Sequence, residues 1–152
     1  MADWNLPMAG GCRCGKVRFE VAKPPMVTLL CHCTGCQRMT GSAFSTTVIV
    51  PIDGFAVTQG ETVIGGIHGD QGRHQHCDWC KSWMFTEVPP EMGVVNVRAT
   101  MLDDPSWFIP FAEIYTSEAL PWALAGTQHA YEKFPPMEDF QKVAGEFAPL
   151  NS

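Results

Sequence analysis

Short segments of alternating apolar and polar positions recur along this chain between Gly and Pro punctuation, while the 3.6-residue period of amphipathic helices is scarce. The alternation predicts a strand over Lys16 to Val21, where Val17, Phe19 and Val21 share a face. Further strands are expected over Val27 to Cys31, Phe44 to Val50, Arg73 to Cys77, Trp83 to Val88, Val94 to Arg98 and Phe111 to Thr116. Turns are expected at Lys23-Pro24-Pro25, Pro51-Ile52-Asp53-Gly54, Ile64-Gly65-Gly66, Pro89-Pro90 and Asp103-Asp104-Pro105. A brief helix capped by Thr34 is expected to run through Met39, and another to start near Glu138, after Pro135 and Pro136, and end the chain. The fold class is therefore mostly β, with short strands and one or two short helices.

A length of 152 residues with 45% hydrophobic content suits one globular domain over 1–152, without repeats or low-complexity tracts. No apolar run approaches the roughly 20 residues of a membrane span; the longest, around Thr47 to Pro51, is strand-sized, so no membrane association is expected. The formal charge of −6 and pI of about 5.2, with ten scattered Lys and Arg residues, disfavour a nucleic-acid partner.

The seven cysteines change the picture most. They fall into three tight groups: Cys12 with Cys14, Cys31 and Cys33 with Cys36, and Cys77 with Cys80. Thiolates so spaced bind one ion with little loop to close. Cys12, Cys14, Cys77 and Cys80 make two complete pairs and suit a closed, structural zinc site. Cys31, Cys33 and Cys36 leave a fourth position open for water, a substrate thiol or a further protein ligand, and open zinc sites are where chemistry happens. A disulfide framework is the rival reading, but an odd cysteine count opposes full pairing. Met1 to Gly11 lacks the apolar core of a signal peptide, so reduced thiols in a cytoplasm are expected.

If Val27 to Cys33 is extended, Cys31 and Cys33 lie on one face and His32 on the other, which makes His32 a packing or hydrogen-bonding residue rather than a ligand. His74 and His76 share a face of their strand and are the histidines that could complete a site.

These motifs resemble a known family, the glutathione-dependent formaldehyde-activating enzymes, grouped with centromere protein V. Gly10-Gly11-Cys12-Arg13-Cys14-Gly15-Lys16-Val17 is similar to its opening Gly-x-Cys-x-Cys-Gly-x-Val, and Cys31-His32-Cys33-Thr34-Gly35-Cys36-Gln37-Arg38 to its central Cys-His-Cys-x-x-Cys-x-Arg. Gly41-Ser42-Ala43-Phe44, Phe55-Ala56-Val57 with Gly60, Cys77-Asp78-Trp79-Cys80, Pro110 to Tyr115 and Pro121-Trp122 follow in order. The resemblance covers about residues 10–135 and leaves 136–152 as a C-terminal extension. It implies a zinc-containing β-tent fold with two zinc ions, a structural one on the outer four cysteines and a catalytic one on Cys31, Cys33 and Cys36. The implied activity is that of a carbon–sulfur lyase, condensing formaldehyde with glutathione to S-hydroxymethylglutathione. The family usually has an aromatic residue before the last cysteine pair and Gly after it; here these are His76 and Lys81. A left-handed turn at Lys81 would cost about a kcal/mol.

Three thiolates leave Zn²⁺ with a formal charge of −1, which suits thiol chemistry better than water activation. Either the thiol enters the open position as thiolate, or the aldehyde oxygen is polarised there while the thiol attacks from outside. His32, His74 and Glu113 are the candidate proton donors. Gln37 and Arg38, after Cys36, and Thr40 to Ser42 lie where a glutathione carboxylate could be held; Trp79, Trp83, Trp107 and Trp122 could line a pocket. Two other readings use the same residues: a zinc-stabilised interaction module without catalysis, and a thiol redox protein using Cys31 to Cys36.

Overall fold

The computed structural model describes residues 4–69 and 72–150. Among these described residues, eleven strands and two helices alternate with single turns of 3-10 helix: β1 (Met8–Gly11), β2 (Arg18–Val21), β3 (Val27–Cys31), α1 (Thr34–Thr40), β4 (Ser45–Pro51), β5 (Phe55–Gln59), β6 (Thr62–Gly69), β7 (Gly72–Cys77), β8 (Trp83–Glu87), β9 (Val94–Val97), β10 (Ala112–Ile114), β11 (His129–Ala130) and α2 (Met137–Leu150). The mostly β expectation holds, and the architecture is consistent with a β-tent. None of the described helices is long and apolar enough to cross a membrane.

Two sheets form. The small one has the antiparallel order β1-β2-β5, and the large one runs β11-β10-β3-β4-β9-β8-β7-β6, antiparallel except where β10 lies parallel to β3 and β11. Period-two alternation sorts the large sheet's faces. Val48 and Val50 of β4 pair with Val97 and Val95 of β9, and these four pack with Phe19 and Val21 of β2 into one core. Val27, Leu29 and Cys31 of β3 point the other way with Ile49, Ala112 and Ile114, and meet Val143 and Phe147 of α2. Those two α2 residues are four apart and so lie on one helix face. Central strand β3 is thus buried on both faces.

Seven of the strands lie where the alternation put them, β3 at the expected bounds and the other six with ends shifted by at most two residues. The first starts at Arg18 rather than Lys16, because Gly15, at φ +80°, and the two residues after it close a turn in which the Cys12 N–H donates to the Val17 carbonyl at 3.1 Å. Strands β1, β5, β6 and β11 carry no clear alternation. Ile64-Gly65-Gly66 is not a turn but the interior of β6: pairing with β7 is irregular between Gly65 and Gly69, and Gly66 has φ +68°. A glycine pair inside a strand marks a bulge as readily as a turn. The helix cap also differs. Cys33 caps α1, its Sγ accepting from the Cys36 N–H at 3.3 Å, and Thr34 is already helical.

Candidate metal centres

Two of the cysteine groups meet where the two sheets' turns converge. The β1–β2 turn carries Cys12 and Cys14, the β7–β8 turn carries Cys77 and Cys80, and their four Sγ atoms lie within 4.8 Å of one another. Cys12 and Cys14 sulfurs are 3.5 Å apart, and Cys14 and Cys77 sulfurs 3.7 Å. Bonds of 2.3 Å to one tetrahedral ion place sulfurs about 3.8 Å apart, whereas a disulfide needs about 2 Å. All seven cysteines are free of disulfides, and the outer four fit zinc. The loops are prepared for thiolates: the Val17 N–H donates to Cys12 Sγ at 3.3 Å, and Ser82 Oγ lies 3.3 Å from Cys80 Sγ while accepting from the Arg13 N–H at 3.1 Å. Burial raises the Cys80 thiol, but the Ser82 hydroxyl and amide outweigh it and bring it down to about 5. Cys14 goes the other way: the Lys16 amide would lower it, yet burial and the neighbouring thiols push it up to about 11.

Lys81 closes the second turn with φ +61°, its N–H donating to the Cys77 carbonyl at 3.0 Å. The left-handed geometry is thus kept with a side chain that disfavours it.

Cys31, the last residue of β3, Cys33 at the α1 cap and Cys36 in its first turn form the other group, with sulfurs likewise within 4.8 Å. Among the described residues it has three members; His74 and His76 do not join it. His74 Nδ1 pairs with Thr86 Oγ1 at 2.8 Å, and His76 Nδ1 with the His74 carbonyl at 3.0 Å. Hydrogen bonds from Cys31 and Cys36, reinforced by the Cys36 and Gly35 amides, hold the Cys33 thiol well below its ordinary value, while Cys33, Cys36 and burial push Cys31 up. The Ser45 hydroxyl donates to Cys36 Sγ at 3.1 Å, a position set by the pairing of Ser45 with Cys31 across β3 and β4.

His32 is fully buried and turned away from these sulfurs, as alternation requires. Its Nε2 meets Glu113 Oε1 at 2.9 Å and its ring packs edge-on against Phe44. Glu113 is held as a carboxylate. Burial raises its carboxyl, but the Ala125 amide, His32, and the Thr127 amide and hydroxyl prevail and take it down to about 2, so it stays ionised. Gln37 Nε2 donates to the His32 carbonyl at 2.8 Å and the Glu118 carbonyl at 3.0 Å, tying α1 to the 116–118 turn; Arg38 is exposed on the helix's last turn.

A cleft of about 410 Å³ takes one wall from α1 and the segment after it, through Met39, Thr40 and Ser42, and the other from the Cys77–Cys80 turn, through Lys81 and Ser82. Trp83 lines it, whereas Trp79 and Trp122 are exposed and Trp107 is buried in the core. Like Ser45, Arg98 carries no local sign in the sequence that would single it out. It lines the cleft at 6% exposure, its guanidinium 4.3 Å from the centre of the Trp83 ring. Burial lowers it to about 10 against the attraction of Cys36, Cys31 and Cys33, so it remains charged near neutrality. At the end of an alternating strand, an arginine reads as an exposed edge residue.

Comparison with known proteins agrees with this geometry. A family model described as glutathione-dependent formaldehyde-activating enzyme matches residues 7–118, a span that includes all seven cysteines. No curated protein shows significant sequence similarity. Among solved structures, a Rhodobacter sphaeroides protein determined in a structural genomics programme is similar, with a TM-score of 0.54 and 16% identity over 82% of this chain and 99% of that one. At that identity the likeness concerns the fold alone.

Proposed function

Because this chain belongs to the glutathione-dependent formaldehyde-activating enzyme family, we propose that it is a zinc-dependent carbon–sulfur lyase of the S-(hydroxymethyl)glutathione synthase type. It joins formaldehyde, or a related small aldehyde, to a thiol such as glutathione. The observation that carries this reading is the group Cys31, Cys33 and Cys36: three sulfurs within 4.8 Å of one another with no fourth protein donor among the described residues. In this reading those three hold the catalytic zinc, and Cys12, Cys14, Cys77 and Cys80 hold a structural one.

When bound, the catalytic zinc supplies a Lewis-acid position at which a thiol is favoured as thiolate. The rest is the work of the chain. The Cys36 N–H on Cys33 and the Ser45 hydroxyl on Cys36 stabilise the ligands as thiolates and fix their directions. The Glu113 carboxylate orients His32, and so braces the backbone between Cys31 and Cys33. Gln37 acts from the same side, holding the His32 carbonyl and anchoring α1. In the reaction the thiol sulfur gives up its proton and forms the C–S bond, while the carbonyl oxygen gains a proton to become the hydroxyl; the reverse reaction breaks the same bond.

The test is NMR exchange spectroscopy on formaldehyde, glutathione and their hydroxymethyl adduct, with zinc-loaded protein and a Cys36→Ser control. Faster interconversion that disappears in the control supports the enzyme. A folded, zinc-loaded wild type that leaves the uncatalysed rate unchanged refutes it for this substrate pair and favours the interaction module.

A further inference from the structure

Arg98 is a buried cation without a carboxylate partner among the described residues. Among the described residues its contacts are the Trp83 face at 4.3 Å and a long hydrogen bond from Nη2 to the Asn96 carbonyl at 3.5 Å; its Nε is buried with no acceptor. Leaving a buried donor unsatisfied costs about 1–3 kcal/mol, and more for a charged group, and a ligand carboxylate would remove that cost. The surroundings point to the same ligand. In a chain with sixteen acidic residues, no Asp or Glu lines the cleft among the described residues. Its walls instead present the hydroxyl-bearing residues Thr40, Ser42, Ser82 and Thr100, and a second cation, Lys81. Lys81 occupies a left-handed backbone position that glycine would fill without strain, and its Nζ pairs with Asp78 at 3.1 Å, an exposed pair free to exchange.

We infer that this cleft binds the carboxylate end of the thiol substrate, with Arg98 as the buried anchor and Lys81 as a second cation at the wall. Arg98 and Lys81 are in this reading the residues that set the preference for an anionic thiol over neutral or cationic ones. A planar guanidinium lying on Trp83 is fixed in orientation and presents its N–H edge for paired hydrogen bonds to a carboxylate. The inference rests on the three-cysteine group as the reaction centre, since α1 carries both Cys36 and the cleft wall at Met39 and Thr40.

Binding is tested apart from catalysis by titrating zinc-loaded protein with S-methylglutathione, whose blocked sulfur cannot react. Calorimetry gives the affinity, and amide shift changes locate the site. Saturable binding is expected, with shifts around Thr40, Ser82 and Arg98. Arg98→Met should weaken it about tenfold or more, the loss of a charge-assisted hydrogen bond, and Arg98→Lys should recover part of that. Lys81→Ala should weaken it less. Should Arg98→Met fail to fold, the ligand side decides: on wild type, the dialkyl ester of S-methylglutathione should bind about tenfold or more weakly. Equal affinity of ester and acid, equal affinity of a folded Arg98→Met, or no saturable binding each overturns the inference. Absence of formaldehyde turnover with binding intact would instead refute the proposed reaction and leave the carboxylate site standing.

Discussion

Lys81→Gly and Lys81→Ala, made side by side, isolate the backbone strain beside the outer cysteines. Lys81 has φ +61° in the turn that closes onto the Cys77 carbonyl. A Cβ in that region costs about 1–2 kcal/mol, and glycine has none. Glycine also loosens the unfolded chain, which returns about 0.4–1 kcal/mol. Both variants lose the ammonium and its exposed pairing with Asp78, so those effects cancel between them. The glycine variant should be more stable than the alanine variant by roughly 0.7 kcal/mol, or about 2 °C in Tm for a chain of this size. Urea unfolding at one buffered free-zinc concentration is the assay, because a bound metal shifts apparent stability by mass action. A glycine variant no more stable than the alanine one would falsify the left-handed strain. Both should lose the same affinity for S-methylglutathione, which separates the stability effect from the binding effect.

Three other expectations follow from single contacts. Ser45→Ala removes the hydroxyl 3.1 Å from Cys36 Sγ and should lower zinc affinity at the three-cysteine group by about 10–100-fold with the fold intact; a competing chelator measures it, and unchanged affinity refutes the role. Cys14→Ser opens a clip spanning 63 residues, worth roughly 4 kcal/mol in loop-closure entropy, so the variant should lose one zinc and unfold at much lower temperature; retention of two zincs and full thermal stability would overturn the assignment. Folding depresses Glu113 from 4.5 to about 2, so its stabilisation is complete above 4.5 and is lost as pH falls toward 2. Glu113→Gln, which turns an NH₂ towards donors, should cost about 1–3 kcal/mol at neutral pH, and its gap from wild type should narrow below pH 4.5; a gap independent of pH refutes the ionised role.

The cysteine grouping, the mostly β class and seven strands were legible in the sequence because each is written locally. A knuckle needs thiols two or three residues apart, and a half-buried strand needs a period of two. The placement of His32 followed from the same period, although its partner did not. Glu113 is 81 residues from His32, and the parallel pairing of β10 with β3, Glu113 opposite Leu30, is what brings the two together. Arg98 and Ser45 belong to the site for the same kind of reason. In β4, Ser45 stands opposite Cys31, and Arg98 lies next after the β9 residue paired with Val48. Neither residue type announces itself, and only register across strands aims them at the cleft and at Cys36. Strand β1 was invisible because Met8-Ala9-Gly10-Gly11 has no alternation; Gly10 is needed there because any Cβ would sit 2.6 Å from the Phe19 ring and 2.5 Å from the Met101 carbonyl. Local chemistry chose the ligands. Non-local packing, which no window of sequence contains, decided what surrounds them and what charge the cleft presents.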